Sequence, residues 1–207
     1  MSNFTTWRSL VDGEEIFAIP DSVVDNFEWG GPLSDRWAGA TGDWEINQTD
    51  VLFGDYSLSP TTTGAGIIEV ISGDYDVPRV LGPSDVPFGF WFNEENNEAI
   101  RWYFAFQDSS NYAAAEVSPP SDQVRIRVDG TVENTASVTL STSEWYWLGP
   151  TEWDTGVGEV TVEVRDGNFS TLASVTATDG GYQNEPGIAI TNTASNSLAH
   201  WDGGVPE

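Results

Sequence analysis

The stretch SEWYWLGPTEWDTGVGEVTVEVRDG, residues 143–167, sets an aromatic-rich run, a polar turn and a strictly alternating run in immediate succession. In its second half Val160, Val162 and Val164 fall on one side of an extended chain, while Glu159, Thr161, Glu163 and Arg165 fall on the other. A period of two is the signature of a strand with one buried and one wet face. Asp166-Gly167 predicts a turn, because this pair tolerates the left-handed backbone that tight hairpins need. Phe169 to Thr178 reads as the next strand. Three consecutive strands make a meander, and its apolar side must be covered by a second sheet to stay folded in water.

The same logic extends upstream. Pro87 to Phe92 puts Phe88, Phe90 and Phe92 on one face, with Gly89 and Trp91 on the other. Arg101 to Phe106 sets Trp102, Phe104 and Phe106 against Arg101, Tyr103 and Ala105. One face of each run is apolar enough to be core. The polar NEENNE run between them, residues 93–98, reads as a solvated hairpin loop. Val124, Ile126 and Val128 alternate with Gln123, Arg125 and Arg127, and the Asp129-Gly130 turn leads into a partner strand from Val132 to Leu140. Residues 22–60 hold short β-like runs separated by Gly-Gly-Pro, Thr-Gly-Asp and Gly-Asp turn signals. No segment carries sustained helical periodicity with caps. The expectation is an all-β domain over residues 22–207. Residues 1–21 differ: Trp7, Leu10, Val11, Ile16, Phe17 and Ile19 are irregularly spaced and Pro20 closes the segment. This segment reads as an N-terminal arm for attachment or oligomerisation, with a first edge strand of the domain as the alternative.

Composition narrows the function. The chain of 207 residues has 33 acidic and 7 basic residues, a formal net charge of -26, yet only 19% of its residues are charged. All the basic residues are arginine. A surface this acidic repels itself at low ionic strength, whereas in molar salt the Debye length falls to about 3 Å and the repulsion is screened. This is the composition expected of a protein from an extreme halophile, the alternative being an acidic mesophilic surface protein. Nucleic-acid binding is disfavoured, since neutralising phosphates takes a basic face. The absence of cysteine excludes disulfides, thiolate zinc sites and cysteine nucleophiles. No apolar stretch reaches the roughly 20 residues of a membrane span. The opening MSNFTTWRSLVDGEEIFAIPD lacks the basic and hydrophobic regions of a signal peptide.

Several short motifs recur in a telling order. An Asn26-Phe27-Glu28 opening is followed by a Leu33-Ser34-x-x-Trp37 turn, Trp44-x-Ile46 and Gly54-x-Tyr56-Ser57-Leu58. Further on come Asn111-Tyr112, Trp145-Tyr146 with Asp154-Thr155-Gly156, the Leu172–Val175 and Gly187–Ile190 strands, and a terminal His200-Trp201-Asp202. Together they resemble the concanavalin A-like and laminin-G-like jelly rolls and related carbohydrate-binding modules, of the kind seen in surface proteins of haloarchaea and their viruses. The resemblance implies a two-sheet antiparallel jelly-roll sandwich with a lectin-like role. It also implies a structural calcium tying the first strand to the last, with Glu28 and Asp202 at the matching positions; backbone carbonyls and water would complete its shell of six to eight oxygens. Two ordinary surface carboxylates are the plainer reading.

If the phenylalanine rows point inward, then Trp91, Arg101, Tyr103, Arg125 and Arg127 point outward. Aromatic rings suit the C–H faces of sugars, and guanidinium groups suit hydroxyls and acidic substituents. These residues are the candidate carbohydrate-binding face, with cover by a loop or neighbouring subunit, or internal ion pairing, as the alternative. Catalysis fares worse. Glycosidases on a similar jelly roll carry Glu-x-Asp-x-x-Glu on one strand, placing two carboxyls about 5–5.5 Å apart. Glu152-Trp153-Asp154 begins that pattern, but Val157 stands where the last glutamate belongs. With one histidine and no serine motif, a hydrolytic triad is also unsupported, and His200 reads as structural. The expectation is therefore a non-enzymatic virion protein of a haloarchaeal virus, a capsid turret, decoration or tail fibre. It would present the jelly roll at the virion surface to a host glycan, assembled with itself and other virion proteins and without nucleic acid. A secreted carbohydrate-binding or adhesion module of a halophilic archaeon is the alternative.

Overall fold

The computed structural model describes residues 8–11, 14–17, 27, 31–52, 54–70, 80–81, 89–154, 156–182, 187–203 and 205–206, with the backbone alone at 8–11, 14–17, 80–81 and 205–206. The chain begins with β1 (Arg8–Val11) and β2 (Glu14–Phe17), then β3 (Trp37–Gly39), β4 (Trp44–Asn47), β5 (Ser57–Pro60), β6 (Ile68–Val70) and β7 (Val80–Leu81). The middle holds β8 (Phe90–Glu94), β9 (Ile100–Asp108), β10 (Asn111–Ser118), β11 (Gln123–Val128) and β12 (Thr131–Ser137). It closes with β13 (Trp145–Asp154), β14 (Glu159–Arg165), β15 (Thr171–Thr178), β16 (Ala189–Asn192), β17 (Ala199–Gly203) and β18 (Val205–Pro206). Helical structure among the described residues is confined to three short 3-10 turns, and no helix there is long and apolar enough to cross a membrane.

Two antiparallel sheets carry the domain. The first runs β12-β11-β10-β9-β16-β6-β3, and the second β15-β14-β13-β8-β17-β5-β4, with β7 paired to β13. Strands β1 and β2, within the segment read as an arm, pair with each other, and β18 adds to β2 as a third strand. The fold is the two-layer antiparallel jelly roll.

The alternating rows meet between the layers. Val160, Val162 and Val164 from β14 are fully buried, as are Val124 and Ile126 from β11 and Phe90, Trp102 and Trp201 from the centre. The rings interlock edge to face: Phe90 stands T-shaped against both Trp102 and Trp201, with centroids 6.2 and 6.3 Å apart, and Phe104 does the same against Trp153 at 5.4 Å. Such pairs add to the burial of their large apolar areas. Phe27 from the opening motif stacks on Trp37 and Phe90 at 6.0 and 6.1 Å. The Asp129-Gly130 turn has φ of 51° and 84°, the doubly left-handed pair that a two-residue hairpin requires. At the side of the sandwich the outermost strands of the two sheets touch: Asn134 Nδ2 on β12 donates to the Thr176 carbonyl on β15 at 2.8 Å.

Three sequence expectations are corrected. NEENNE is not a hairpin loop: β8 belongs to the second sheet and β9 to the first, so the run crosses between layers. Its Glu94 is only 4% exposed and accepts from Ser197 Oγ and the Asn96 and Leu198 amides, so part of this polar run is structural. Phe106 does not share the core face of Trp102 and Phe104. The β9–β10 register slips between Ala113 and Ala114, so that Phe104 and Ala105 both face the core; Phe106 then turns to the opposite face, beside Tyr103 at 5.1 Å. A bulge adds one residue and reverses the alternation beyond it. Phe169 lies in the β14–β15 turn rather than on a strand. There Asp166 Oδ1 accepts from the amides of Asn168 and Ser170, and Phe169 adopts φ 61°. Phe88 and Glu28 lie outside the described residues.

Candidate functional site

The five candidate sugar-binding residues divide between the two sheets. Arg101 and Tyr103 lie on β9 and Arg125 and Arg127 on β11, all on the outer face of the first sheet. Trp91 lies on β8, on the outer face of the second. Trp91 therefore cannot share a site with the arginines. It is fully buried, packing on Phe169 at 6.0 Å, with Arg165 4.3 Å above the same Phe169 ring. Tyr103, 1% exposed, is also covered. The alternation placed both rings outside the central core, but an outer face near the middle of a sheet can still be roofed by its own neighbours.

What draws the arginines together is Glu116 on β10. In the antiparallel register it stands directly opposite Arg101 on one side and Arg125 on the other. Arg101 Nη2 donates to Oε2 at 2.6 Å, Arg125 Nη1 donates to Oε1 at 3.0 Å, and Arg127 Nε lies 2.8 Å from Oε2. The Glu116 side chain is 4% exposed and those of the three arginines 17–19%. Burial works to raise the Glu116 pKa, but the hydrogen bonds and charges of Arg101 and Arg127 outweigh it and hold the carboxyl below its ordinary value. Arg101 is held further: its Nη1 donates to the hydroxyls of Tyr103 and Tyr112 at 3.2 and 3.1 Å, and its guanidinium lies 5.6 and 5.5 Å from the two ring centres. Burial, opposed by Arg101, raises the Tyr103 pKa, so the hydroxyl stays protonated.

One carboxylate against three guanidiniums leaves the cluster with two positive charges in excess, on a chain of formal charge -26. Arg125 also donates to Gln123 Oε1 through Nε, and Arg127 to the Gly130 carbonyl through Nη1. Among the described residues their Nη2 groups make no hydrogen bond, and the two side chains remain 18% and 19% exposed. A guanidinium fork matches a carboxylate or sulfate ester oxygen for oxygen. Glu116 and Tyr112 went unsuspected from sequence. The only signal was a lone acid in the otherwise apolar run Tyr112–Val117, and its meaning depends on a register that no single strand reveals.

The other expectations resolve separately. Asp202 is fully buried, and its Oδ2 accepts from the Leu52 amide at 2.9 Å, fastening the loop after β4 to the second sheet. Glu28 lies outside the described residues, and with it the Glu28–Asp202 calcium pairing. The donor cluster that the described residues assemble is Asp50, Glu95 and His200. Glu152 and Asp154 both face outward at the end of β13. Asp154 Oδ1 caps the turn by accepting from the Gly156 and Val157 amides at 2.8 and 3.3 Å, and Val157 is 74% exposed. The partial acid motif serves a turn.

No family model matches the chain, and no curated protein matches it in sequence. Solved structures do resemble it. The carbohydrate-binding module CBM66 from Bacillus subtilis is similar over 81% of this chain and 92% of its own, at 13% identity and a TM-score of 0.50. The catalytic domain of a glycoside hydrolase family 131 protein from Coprinopsis cinerea matches over 87% and 90%, at 11% identity and a TM-score of 0.49. Lectin II from Ulex europaeus matches over 81% and 93%, at 12% identity and a TM-score of 0.46. The chain has the concanavalin A-like jelly-roll fold of lectins and carbohydrate-binding modules. The likeness is one of fold.

Proposed function

We propose that this chain is a glycan-binding module for acidic sugars, displayed at the virion surface of a haloarchaeal virus as a turret, decoration or fibre protein that assembles with itself and with other virion components. The observation that carries the binding role is Glu116 gathering Arg101, Arg125 and Arg127 into a net cationic patch on an otherwise acidic protein. In molar salt long-range attraction is screened within about 3 Å. Only contact-range recognition survives there, and paired guanidinium–carboxylate hydrogen bonds are of that kind. The lectin-type fold and the arginine-only, acid-rich composition support the reading. Binding rather than catalysis is favoured because Asp154, the second acid of the hydrolase-like pattern, holds a turn instead.

A glycan array probed in about 2 M KCl, a salt level at which surface charge is screened, tests the binding role. Glycans bearing uronate, sialate or sulfate groups are expected to be retained and neutral ones not, with retention lost in the Arg125→Gln, Arg127→Gln double variant. Retention of nothing by the wild-type chain defeats it. Mass spectrometry of purified particles tests the display role; finding the chain only among secreted cellular proteins favours the adhesion-module alternative.

A further inference from the structure

On the outer face of the second sheet, across the sandwich from the arginine cluster, two carboxylates and an amide gather beside the chain's single histidine. Asp50 Oδ2, in the loop after β4, lies 3.7 Å from His200 Nδ1; Glu95 Oε1, just past β8, lies 3.6 Å from His200 Nε2. One ligand atom from each of the three residues lies within 4.8 Å of the others. Directly opposite His200 in the β8–β17 ladder, and so on the same face, stands Asn93. It is 8% exposed, and its Oδ1 is buried without a hydrogen-bond partner. A buried amide oxygen facing no donor is rare and costly, and calls for a missing partner.

We propose that Asp50, Asn93, Glu95 and His200 form a binding site for a divalent transition-metal ion. At metal–ligand bond lengths near 2.1 Å, two ligands of a tetrahedral ion sit roughly 3.4 Å apart, and the Glu95–His200 separation is close to that. Ser59 supplies the outer support such sites need: its Oγ lies 2.8 Å from His200 Nδ1. In the tautomer whose Nδ1–H donates to Ser59, the Nε2 lone pair is directed to the Glu95 side, the arrangement a metal-bound imidazole uses. The His200 side chain is 9% exposed while those of Asp50 and Glu95 are 35% and 37%, so the nitrogen is sheltered and the carboxylates leave a path for entry. An imidazole nitrogen among oxygens selects zinc, cobalt, nickel or manganese over calcium or magnesium, which take oxygen ligands. The ion would join the loop after β4, the crossing between sheets and β17.

The test uses the full chain, stripped by chelator and held in concentrated KCl with excess magnesium to occupy the many surface carboxylates. Zinc and cobalt are then added. One ion is expected to bind per chain, raising Tm by at least about 3 °C, and stoichiometric cobalt should shift the ring proton resonances of His200, which are unambiguous because the chain has one histidine. Glu95→Gln, at a partly exposed position, should keep the fold and weaken binding at least tenfold, whereas the distant Glu133→Gln should leave it unchanged. Ring resonances unmoved by cobalt, a Tm indifferent to zinc, or an affinity indifferent to Glu95→Gln would each overturn the site.

Discussion

Glu116 and Arg101 face each other across neighbouring strands with Nη2 and Oε2 2.6 Å apart, and the carboxylate is almost wholly out of solvent. Two further guanidiniums close on the same group. The pairing fixes the register of three strands at one point, and the behaviour of this surface follows from it.

Removing the shared anion should be severe. Glu116→Gln leaves three mostly buried guanidiniums repelling one another, and loss of one partner from a buried ion pair costs about 3–5 kcal/mol. Denaturant unfolding at constant high salt, comparing midpoints at unchanged m-value, measures this. Arg125→Gln alone should cost less, since Arg101 and Arg127 still lie against Oε2 and compensate the buried charge, although Oε1 loses its partner.

Acid stability should show two opposing contributions. The folded pKa of Glu116 lies below its unfolded value of 4.5, so its contribution is present above pH 4.5 and is lost as pH falls through the folded pKa. Burial, only partly offset by hydrogen bonds from Asn96, Ser197 and Leu198, raises Glu94 above 4.5. Its contribution is present below pH 4.5 and is lost as pH rises through the folded pKa. Glu94→Gln should therefore gain stability relative to the wild-type chain as pH climbs from about 4.5 toward neutrality. Unfolding curves across that range check the sign, and a constant difference would contradict it.

Trp91 should behave as a packing residue. Trp91→Ala empties a fully buried site against Phe169 and should cost about 3–5 kcal/mol. The folded protein that remains should retain whatever glycan the arginine face holds. Thermal unfolding and the glycan array, run on the same sample, separate the two effects.

Gly187 admits no side chain. A Cβ there would lie 1.7 Å from the Phe106 carbonyl oxygen, a backbone atom that cannot swing aside, and the Gly187 carbonyl accepts from the Phe106 amide at 2.9 Å. Gly187→Ala should force β9 and β16 apart and cost on the order of 3 kcal/mol. Amide hydrogen exchange should show the Phe106 amide losing protection.

Low salt should loosen the whole molecule. With a formal charge of -26, self-repulsion grows as the Debye length lengthens from about 3 Å at 1 M to about 10 Å at 0.1 M. Tm should climb steadily with KCl over that interval, and a flat response would show that the acidic coat is neutral to folding.

Much of the layered architecture was legible because burial imposes a period of two. Val160, Val162 and Val164, or Val124 and Ile126, have nowhere to go but inward, whatever strands stand beside them. What was illegible depended on neighbours. The bulge at Phe104–Ala105 reversed Phe106, and alternation alone cannot announce an extra residue. NEENNE looked like a loop because pattern does not say which sheet a strand joins. The outward side of Trp91 and Tyr103 was readable, but their cover was not, since it comes from Phe169, Tyr112 and Arg101 at other places in the chain. For the same reason the arginines were visible as candidates while Glu116, which organises them, was not, and His200 looked inert until Asp50, Asn93 and Glu95 were placed around it.

The Asn134–Thr176 bond between the outermost strands of the two layers bears on how copies of this molecule can meet. An unprotected outer strand is a template on which another chain can add its own ladder, and open templates lead to fibres. Here that flank is latched from one layer to the other, which obstructs growth by sheet extension. Copies that meet along this flank then do so through side chains rather than by adding strands to a shared ladder.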